Sequence, residues 1–127
     1  MLPVYHLQTQ CTFSATHAIV MQGVLETPHT HDWRVRLTVS GPTLDDDGLL
    51  CDFHLLEGLL DAAIAPFRER NLNDTPPFDT LNPTAEHVAR HLATTVESDL
   101  PIGLTELRLA VTEAPGCEAT YTIDLTR

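Results

Sequence analysis

The sequence contains no lysine, so its seven basic residues are all arginines, and they stand against 18 acidic residues. The formal net charge of -11 at pH 7 repels the phosphate backbone of nucleic acids. The composition therefore excludes nucleic-acid binding from the expected functions.

Cysteine is scarce, and long apolar runs are missing. Cys11, Cys51 and Cys117 are widely spaced and form no CxxC pair, so a thiol-rich metal site is not expected. We interpret them as small buried hydrophobes that stay reduced. No stretch approaches the roughly 20 apolar residues of a membrane span, and the N-terminus does not resemble a secretory signal. We expect a cytoplasmic protein with no membrane partner.

The length of 127 residues is that of one domain, which we predict to span 1–127. Alternation of apolar and polar residues predicts strands over 4–13 and 32–40. Residues 14–31 between them have neither a helical nor a strand period, so an irregular segment is expected there.

Two helices and two further strands are predicted in the second half of the chain. Asp52 is a suitable N-cap for the first helix. Its apolar side chains recur at helical spacing, at Phe53, Leu56, Leu60 and Ile64. The second helix begins near Pro83, because proline suits a first turn. Alternation over 107–111 and 119–125 then predicts two strands, so the order is strand, strand, helix, helix, strand, strand.

Residues 17–31 contain three histidines and a glutamate that suggest a metal site. His29 and His31 lie two residues apart at the start of a strand, so they share one face of it. A catalytic zinc ion usually has three protein ligands, and imidazole nitrogen suits it. His17 is the natural third ligand if the chain returns antiparallel. The alternative is three unrelated polar histidines, but an HxH pair close to another histidine favours metal binding.

A cupin β-barrel is the competing interpretation of an HxH pair on a strand. Cupins normally have a glutamate three to five residues after the pair, where this sequence has Arg34, Val35 and Arg36. The sequence thus departs from the cupin pattern.

Six short motifs extend over nearly the whole chain. They are FSATH at 13–17, HTH at 29–31, LCDF at 50–53, RNLND at 70–74, PTAE at 83–86 and VTE at 111–113. In order and spacing they resemble the family of the 6-pyruvoyl-tetrahydropterin and 6-carboxytetrahydropterin synthases.

The resemblance implies an α+β fold of the tunnelling type, or T-fold. A ββααββ subunit then has an antiparallel sheet with two helices on one face. Such subunits assemble as trimers with a β-barrel around a central channel, and two trimers commonly stack. A homo-oligomer with active sites between subunits is therefore expected.

The resemblance also implies a set of site residues. The zinc ligands would be His17, His29 and His31. Glu113 would anchor a small-molecule pterin substrate, with Thr84 and Glu86 nearby, because a carboxylate can accept hydrogen bonds from the amino and ring NH groups. Judged without the resemblance, Glu113 is an ordinary solvated carboxylate at the end of a strand.

The sequence departs from the family at two candidate catalytic positions, and also at Thr30, the middle residue of the HxH, where Gly is usual. The family's catalytic cysteine, four residues before the first histidine of the HxH, is replaced by Leu25, and Glu26 stands beside it. This glutamate resembles a variant subgroup that cleaves 7,8-dihydroneopterin triphosphate to 6-hydroxymethyl-7,8-dihydropterin for folate synthesis. The family's Leu-Asp-His is here Phe67, Arg68 and Glu69, so the proton-relaying Asp-His pair is missing.

We therefore hypothesise a zinc-dependent lyase that acts on the side chain of a dihydropterin. Zinc would lower the pKa of a side-chain hydroxyl, and Glu26 would be the catalytic base. Glu69 is the candidate proton donor, and Arg68 would pair with it or bind a substrate phosphate; a solvated helix end is the alternative for both. A 6-carboxytetrahydropterin synthase-type reaction, a non-catalytic pterin- or purine-binding homologue and a structural zinc trimer remain open.

Overall fold

The computed structural model describes residues 3–126, which form two helices and seven strands. The strands are β1 Tyr5–His17, β2 Val20–Met21, β3 Val24–Leu25, β4 His29–Gly41, β5 Arg70–Asn71, β6 Glu106–Ala114 and β7 Cys117–Asp124. The helices are α1 Phe53–Ile64 and α2 Ala85–Glu97, with short 3-10 helices at Ala65–Phe67 and Leu72–Asp74. The main sheet has the order β5-β1-β4-β6-β7, and β2 and β3 form a separate hairpin.

The long antiparallel pair of β1 and β4 corrects the prediction of an irregular segment at 14–31. The pairing continues without a break from Tyr5 opposite Gly41 to His17 opposite His29. The chain reverses direction between β1 and β4 through the β2–β3 hairpin, whose turn has positive φ at Gln22 and Gly23. The sequence did not indicate this extension because the buried positions there are a small alanine and a histidine, which carry no apolar alternation.

The two faces of the sheet differ in polarity because side chains alternate along each strand. The face turned to the helices is apolar and includes Phe13, Trp33, Val35, Leu37, Leu107 and Leu109, which belong to one core cluster with residues of both helices. The opposite face of β1 and β4 is polar. The predicted α+β arrangement is therefore confirmed, with β5 added in parallel to β1.

Both helices begin at side-chain caps. The carboxylate of Asp52 accepts a hydrogen bond from His54 N at 2.8 Å, as predicted for α1. The Thr84 hydroxyl caps α2 by accepting from His87 N at 3.1 Å, so Pro83 precedes the helix and does not lie in its first turn. The prediction that Phe53 faces the core is wrong, since its side chain is 51% exposed.

The cysteines and the helix lengths bear on two further expectations. All three cysteines are free thiols, and Cys117 is exposed, contrary to the prediction of burial. Burial raises the pKa of the Cys11 thiol to about 11, with a smaller contribution from Asp61.

Within the described residues, no helix combines the length and apolarity that crossing a bilayer requires.

Candidate metal centre

The three predicted histidines meet at one end of the β1–β4 ladder. His17 lies directly opposite His29, and Ala15 lies opposite His31, so all three imidazoles project from the helix-facing side of the sheet. The Nε2 atoms of His17 and His29 are 3.1 Å apart, and the ring centroids of His29 and His31 are 4.4 Å apart. Strand pairing thus brings together residues that are 12 or more positions apart in sequence.

Backbone carbonyls fix the orientation of two of these rings. His17 Nδ1 lies 2.8 Å from Pro83 O, and His29 Nδ1 lies 3.2 Å from Thr27 O. A carbonyl oxygen can only accept, so each Nδ1 carries the proton and each Nε2 presents a lone pair. A hydrogen bond of this kind is the usual outer support of a metal-bound histidine.

Glu113 in β6 is the fourth member of this His/Glu cluster. Its Oε1 lies 2.7 Å from His17 Nε2, 3.1 Å from His31 Nε2 and 3.6 Å from His29 Nε2. One ligand atom from each of the four residues lies within 4.8 Å of all the others. Lone pairs and a carboxylate that converge in this way need a proton or a cation among them.

The donor set fits a metal ion better than a proton. His31 Nε2 is buried, and its 3.1 Å contact with Glu113 Oε1 lacks hydrogen-bond geometry, so this nitrogen has no hydrogen-bond partner within residues 3–126. Burial lowers the pKa of His31 and outweighs the opposing effect of Glu113, so the ring favours the neutral form that binds metals. Zinc–nitrogen bonds of about 2.0–2.1 Å place tetrahedral ligands roughly 3.3 Å apart, close to the 3.1 Å between the Nε2 atoms of His17 and His29. The His/Glu cluster can therefore hold a metal ion.

A rigid apolar wall supports the His/Glu cluster from inside the protein. Trp33 is fully buried, and its ring centroid lies 4.8 Å from that of His17 in an edge-on arrangement. Trp33 Nε1 donates to Ala15 O at 3.2 Å. His17 itself is 1% exposed, so little motion is open to it.

Two asparagines hold the segment that follows His17, and the sequence analysis did not identify either of them as a site residue. Asn73 accepts from Ala18 N and donates to Ala18 O, both at 2.8 Å. Asn82 does the same for Val20, at 2.8 and 3.0 Å. Each side-chain amide bonds both the N–H and the C=O of one backbone residue, as a neighbouring strand would, and so fixes the segment that follows His17. The only indication in the sequence was that Asn73 lies in the 70–74 motif.

Glu26 lies beside the cluster, as the sequence analysis expected of a candidate base. Its Oε1 accepts from Ile19 N at 3.0 Å, and its own backbone N donates to Ile19 O at 3.0 Å. The same Oε1 is 3.6 Å from His29 Nδ1. Its carboxylate is thus fixed next to a candidate ligand and remains about one-third exposed.

The structure does not bring Glu69 and Arg68 to the cluster. Glu69 is exposed at the outer edge of β1, where its backbone N donates to Ser14 O at 2.7 Å and its φ is 58°. Arg68 lies 3.8 Å from Asp61 on α1.

Two cavities adjoin Glu113. One, of about 410 Å³, is lined by Glu86, Glu113, Cys117 and Glu118 among others. The other, of about 390 Å³, is lined by His31, Glu113 and residues of the polar face of the sheet. Glu86 and Glu113 thus share a cavity, whereas the Thr84 hydroxyl is engaged as the cap of α2.

Comparison with known proteins agrees with this architecture. The family model described as 6-pyruvoyl tetrahydropterin synthase matches residues 6–124. The solved structure of this synthase from Plasmodium vivax has a TM-score of 0.84 at 15% identity, over 97% of this chain and 99% of that chain. A variant of the P. vivax enzyme with a catalytic glutamate changed to alanine gives 0.84 at 14% identity and the same coverage. The Caenorhabditis elegans synthase gives 0.81 at 20% identity, over 97% and 98%. No curated protein matches the sequence.

Proposed function

Since the chain belongs to the 6-pyruvoyl tetrahydropterin synthase family, we propose that it is a zinc-dependent enzyme acting on the side chain of a dihydropterin. The substrate would be 7,8-dihydroneopterin triphosphate or a close relative, and the product 6-hydroxymethyl-7,8-dihydropterin. The observation that carries this proposal is the convergence of three histidine Nε2 atoms and the Glu113 carboxylate, with Glu26 beside them.

Zinc would be held by His17, His29 and His31. Bound there, it supplies Lewis acidity that lowers the pKa of a substrate hydroxyl. Three ligands leave one position open, as catalytic zinc sites require, whereas a fourth protein ligand would make the site structural. The role of Glu113 therefore decides between an enzyme and a structural zinc protein.

Glu113 would anchor the pterin ring, with Glu86 at the other side of the same cavity. The carboxylate of Glu113 can accept two hydrogen bonds from the amino group and ring NH of a pterin. A volume of about 410 Å³ is adequate for a bicyclic ring. Thr84 would contribute mainly by fixing the start of α2, which carries Glu86.

Glu26 would be the base that removes the proton from a side-chain hydroxyl. Support comes from its position next to His29 and from the catalytic glutamate of the P. vivax relative. Ile19 N binds Oε1 and leaves Oε2 to accept the proton. The carbon–carbon bond next to the deprotonated hydroxyl then breaks, the terminal part of the side chain leaves as an aldehyde, and the proton goes to the pterin-side carbon, which becomes the hydroxymethyl group.

A homo-oligomer, a trimer or a dimer of trimers, is part of the proposal. β1 pairs with β5 only at Ala15 and Thr16, and Glu69 N adds one bond to Ser14 O, so the outer edge of residues 5–13 has no strand partner within the described residues. β7 is the other edge of the sheet. Long open edges are normally covered or closed into a barrel, and pairing β1 of one copy with β7 of the next would close one. Glu69 would then lie at a subunit boundary.

The test is to load the protein with zinc, supply dihydroneopterin triphosphate and separate the pterin products. We expect 6-hydroxymethyl-7,8-dihydropterin, and Glu26→Ala should lower turnover by about 100-fold or more, as for loss of a general base. Glu57→Ala, at an exposed position on α1, is the matched control. Unchanged turnover in Glu26→Ala removes Glu26 from the mechanism, and a 6-carboxy product assigns the alternative synthase reaction.

A non-catalytic pterin-binding protein is the second candidate. The separation of Glu69 from the His/Glu cluster favours it, because no replacement for the family's proton relay lies at the cluster within the described residues. Tight pterin binding without turnover on any dihydroneopterin derivative would establish this function. Glu113→Gln should abolish pterin binding and leave zinc bound; loss of zinc would instead identify Glu113 as a fourth ligand.

A further inference from the structure

The β2–β3 hairpin leads directly to Glu26, yet packing does little to hold it in place. Its apolar side chains, those of Val20, Met21, Val24 and Leu25, are between 46% and 68% exposed. Each of its strands has two residues, and a two-stranded hairpin by itself is marginally stable in water. The position of Glu26 therefore depends on the hydrogen bonds that tie the base of the hairpin to the rest of the protein.

The peptide unit that joins Ile19 to Val20 is hydrogen-bonded on both sides. Its carbonyl, Ile19 O, accepts from Glu26 N at 3.0 Å, and its N–H, which belongs to Val20, donates to Asn82 Oδ1 at 2.8 Å. The Ile19 N–H also donates to Glu26 Oε1 at 3.0 Å. Because a peptide unit is planar and rigid, the place of Asn82 on one side fixes the place of Glu26 on the other.

Asn82 bonds both backbone groups of Val20, since its side-chain amide also donates to Val20 O at 3.0 Å. Hydrogen-bonded and non-hydrogen-bonded pairs alternate in an antiparallel hairpin, so the N–H and C=O of Val20 point away from its partner Leu25 and toward Asn82. Among residues 3–126, no other side chain from outside the hairpin bonds the backbone of residues 20–25. Asn82 is thus the attachment of the hairpin to the start of α2.

The Asn82–Pro83 segment also holds the other half of the proposed site. Pro83 O accepts from His17 Nδ1 at 2.8 Å. Asn82 is itself fixed, because its backbone O accepts from His87 Nδ1 on α2 at 2.7 Å. Two consecutive residues before α2 therefore set the position of His17 relative to Glu26.

We propose that Asn82 is a positioning residue that holds the Glu26 carboxylate in place for proton removal. This inference rests on the proposed function and adds to it a residue that does not touch the substrate, since Asn82 lines neither of the cavities beside Glu113. The groups that Asn82 bonds belong to Val20, an exposed residue, so water can replace the amide. Loss of the Asn82 amide should therefore affect catalysis more than stability.

The test measures kcat and KM for dihydroneopterin triphosphate with the zinc-loaded protein. Asn82→Ala should lower kcat by about 10- to 100-fold, since a misplacement of about 1 Å can cost 100-fold. KM should stay near the parental value, because Glu86 and Glu113 are untouched. Gln10→Ala, the matched control, removes an exposed amide from β1 and should keep the parental kcat.

A double-mutant cycle separates positioning from a general structural effect. If Asn82 acts through Glu26, Asn82→Ala should cause no further loss of kcat when it is added to Glu26→Ala. A further loss as large as in the parent would overturn the inference. A second readout needs no turnover: in zinc-free protein, the Glu26 amide should exchange with solvent faster in Asn82→Ala than in the parent or in Gln10→Ala. Equal exchange rates would show that Asn82 does not hold the hairpin.

The outcomes also separate this inference from the proposed function. If Glu26→Ala loses turnover but Asn82→Ala keeps it, Asn82 has no positioning role and the proposed function stands. A raised KM with unchanged kcat in Asn82→Ala would place this residue in substrate binding and would likewise overturn the inference. If the parent turns over no dihydroneopterin derivative, the proposed function and the positioning role both fail.

Discussion

His17 in β1 and His29 in β4 are direct partners in the antiparallel ladder, and their Nε2 atoms lie 3.1 Å apart. Each ring donates its Nδ1 proton to a backbone carbonyl, so the two lone pairs point at each other and at the carboxylate of Glu113. Without a cation, the two lone pairs and the carboxylate repel one another. A cation between them would attract all three groups, so metal binding is the first property to test.

His29→Ala should lower zinc affinity by about 100-fold or more, because even loss of an outer-shell partner typically costs 10–100-fold. Zinc content per chain after dialysis measures this directly. The single tryptophan, Trp33, offers a second readout, since its ring centroid is 4.8 Å from that of His17 and zinc binding should change its emission. His54→Ala, whose side chain is 91% exposed, is the control and should bind zinc normally. Equal zinc content in His29→Ala and the parent would contradict the assignment.

Asn73→Ala should destabilise the fold by about 1–2 kcal/mol, because it leaves the N–H and C=O of Ala18 without their partners. Urea unfolding followed by circular dichroism measures the change. Gln10→Ala removes an exposed amide from β1 and should alter stability by less than about 0.5 kcal/mol. A loss in Asn73→Ala no larger than in Gln10→Ala would mean that Asn73 does not fix this segment.

Thr84→Ala should cost about 1 kcal/mol through loss of the cap of α2, whereas Thr84→Ser should retain the parental stability. The same pair of variants tests whether Thr84 contacts the pterin. If it acts only as a cap, pterin affinity will follow helix stability and the serine variant will bind normally. A serine variant that is stable but binds weakly would indicate a direct contact through the threonine methyl group.

His91 makes the stability of the fold sensitive to acid. Its ring packs against Phe67 and Phe78, with centroid distances of 5.5 and 5.6 Å, and burial lowers its pKa from 6.5. The unfolded chain therefore takes up a proton before the folded protein does, so this contribution is fully present above pH 6.5 and is lost as the pH falls below it.

His91→Phe should weaken the decline of stability between pH 7 and about pH 5, because it removes the titrating ring and keeps an aromatic side chain. The midpoint of urea unfolding, measured across this range in zinc-free protein, gives the slope for each variant. The difference between the two slopes gives the contribution of His91. Parallel slopes for the two proteins would assign the acid sensitivity elsewhere.

The sequence by itself determined the order of the main elements and three of the four residues in the cluster. Alternation in β4, β6 and β7 and the helical spacing of Leu56, Leu60 and Ile64 follow directly from which side chains must be buried. The HxH pair needs no tertiary information, since two residues two apart on a strand always share a face.

Tertiary structure decided what these residues meet. Glu113 is 96 residues from His17, and only the alignment of β6 beside β4 brings its carboxylate to 2.7 Å from the imidazole. Asn73 and Asn82 likewise bond the backbone of Ala18 and Val20 only because the fold brings these distant segments together. The separation of Glu69 from the cluster and the cavity lined by His31 and Glu113 follow from strand pairing at β5 and at the end of β6. Sequence periodicity reports which face a side chain occupies, whereas strand order and register fix its partners, and the chemistry of this site depends on the partners.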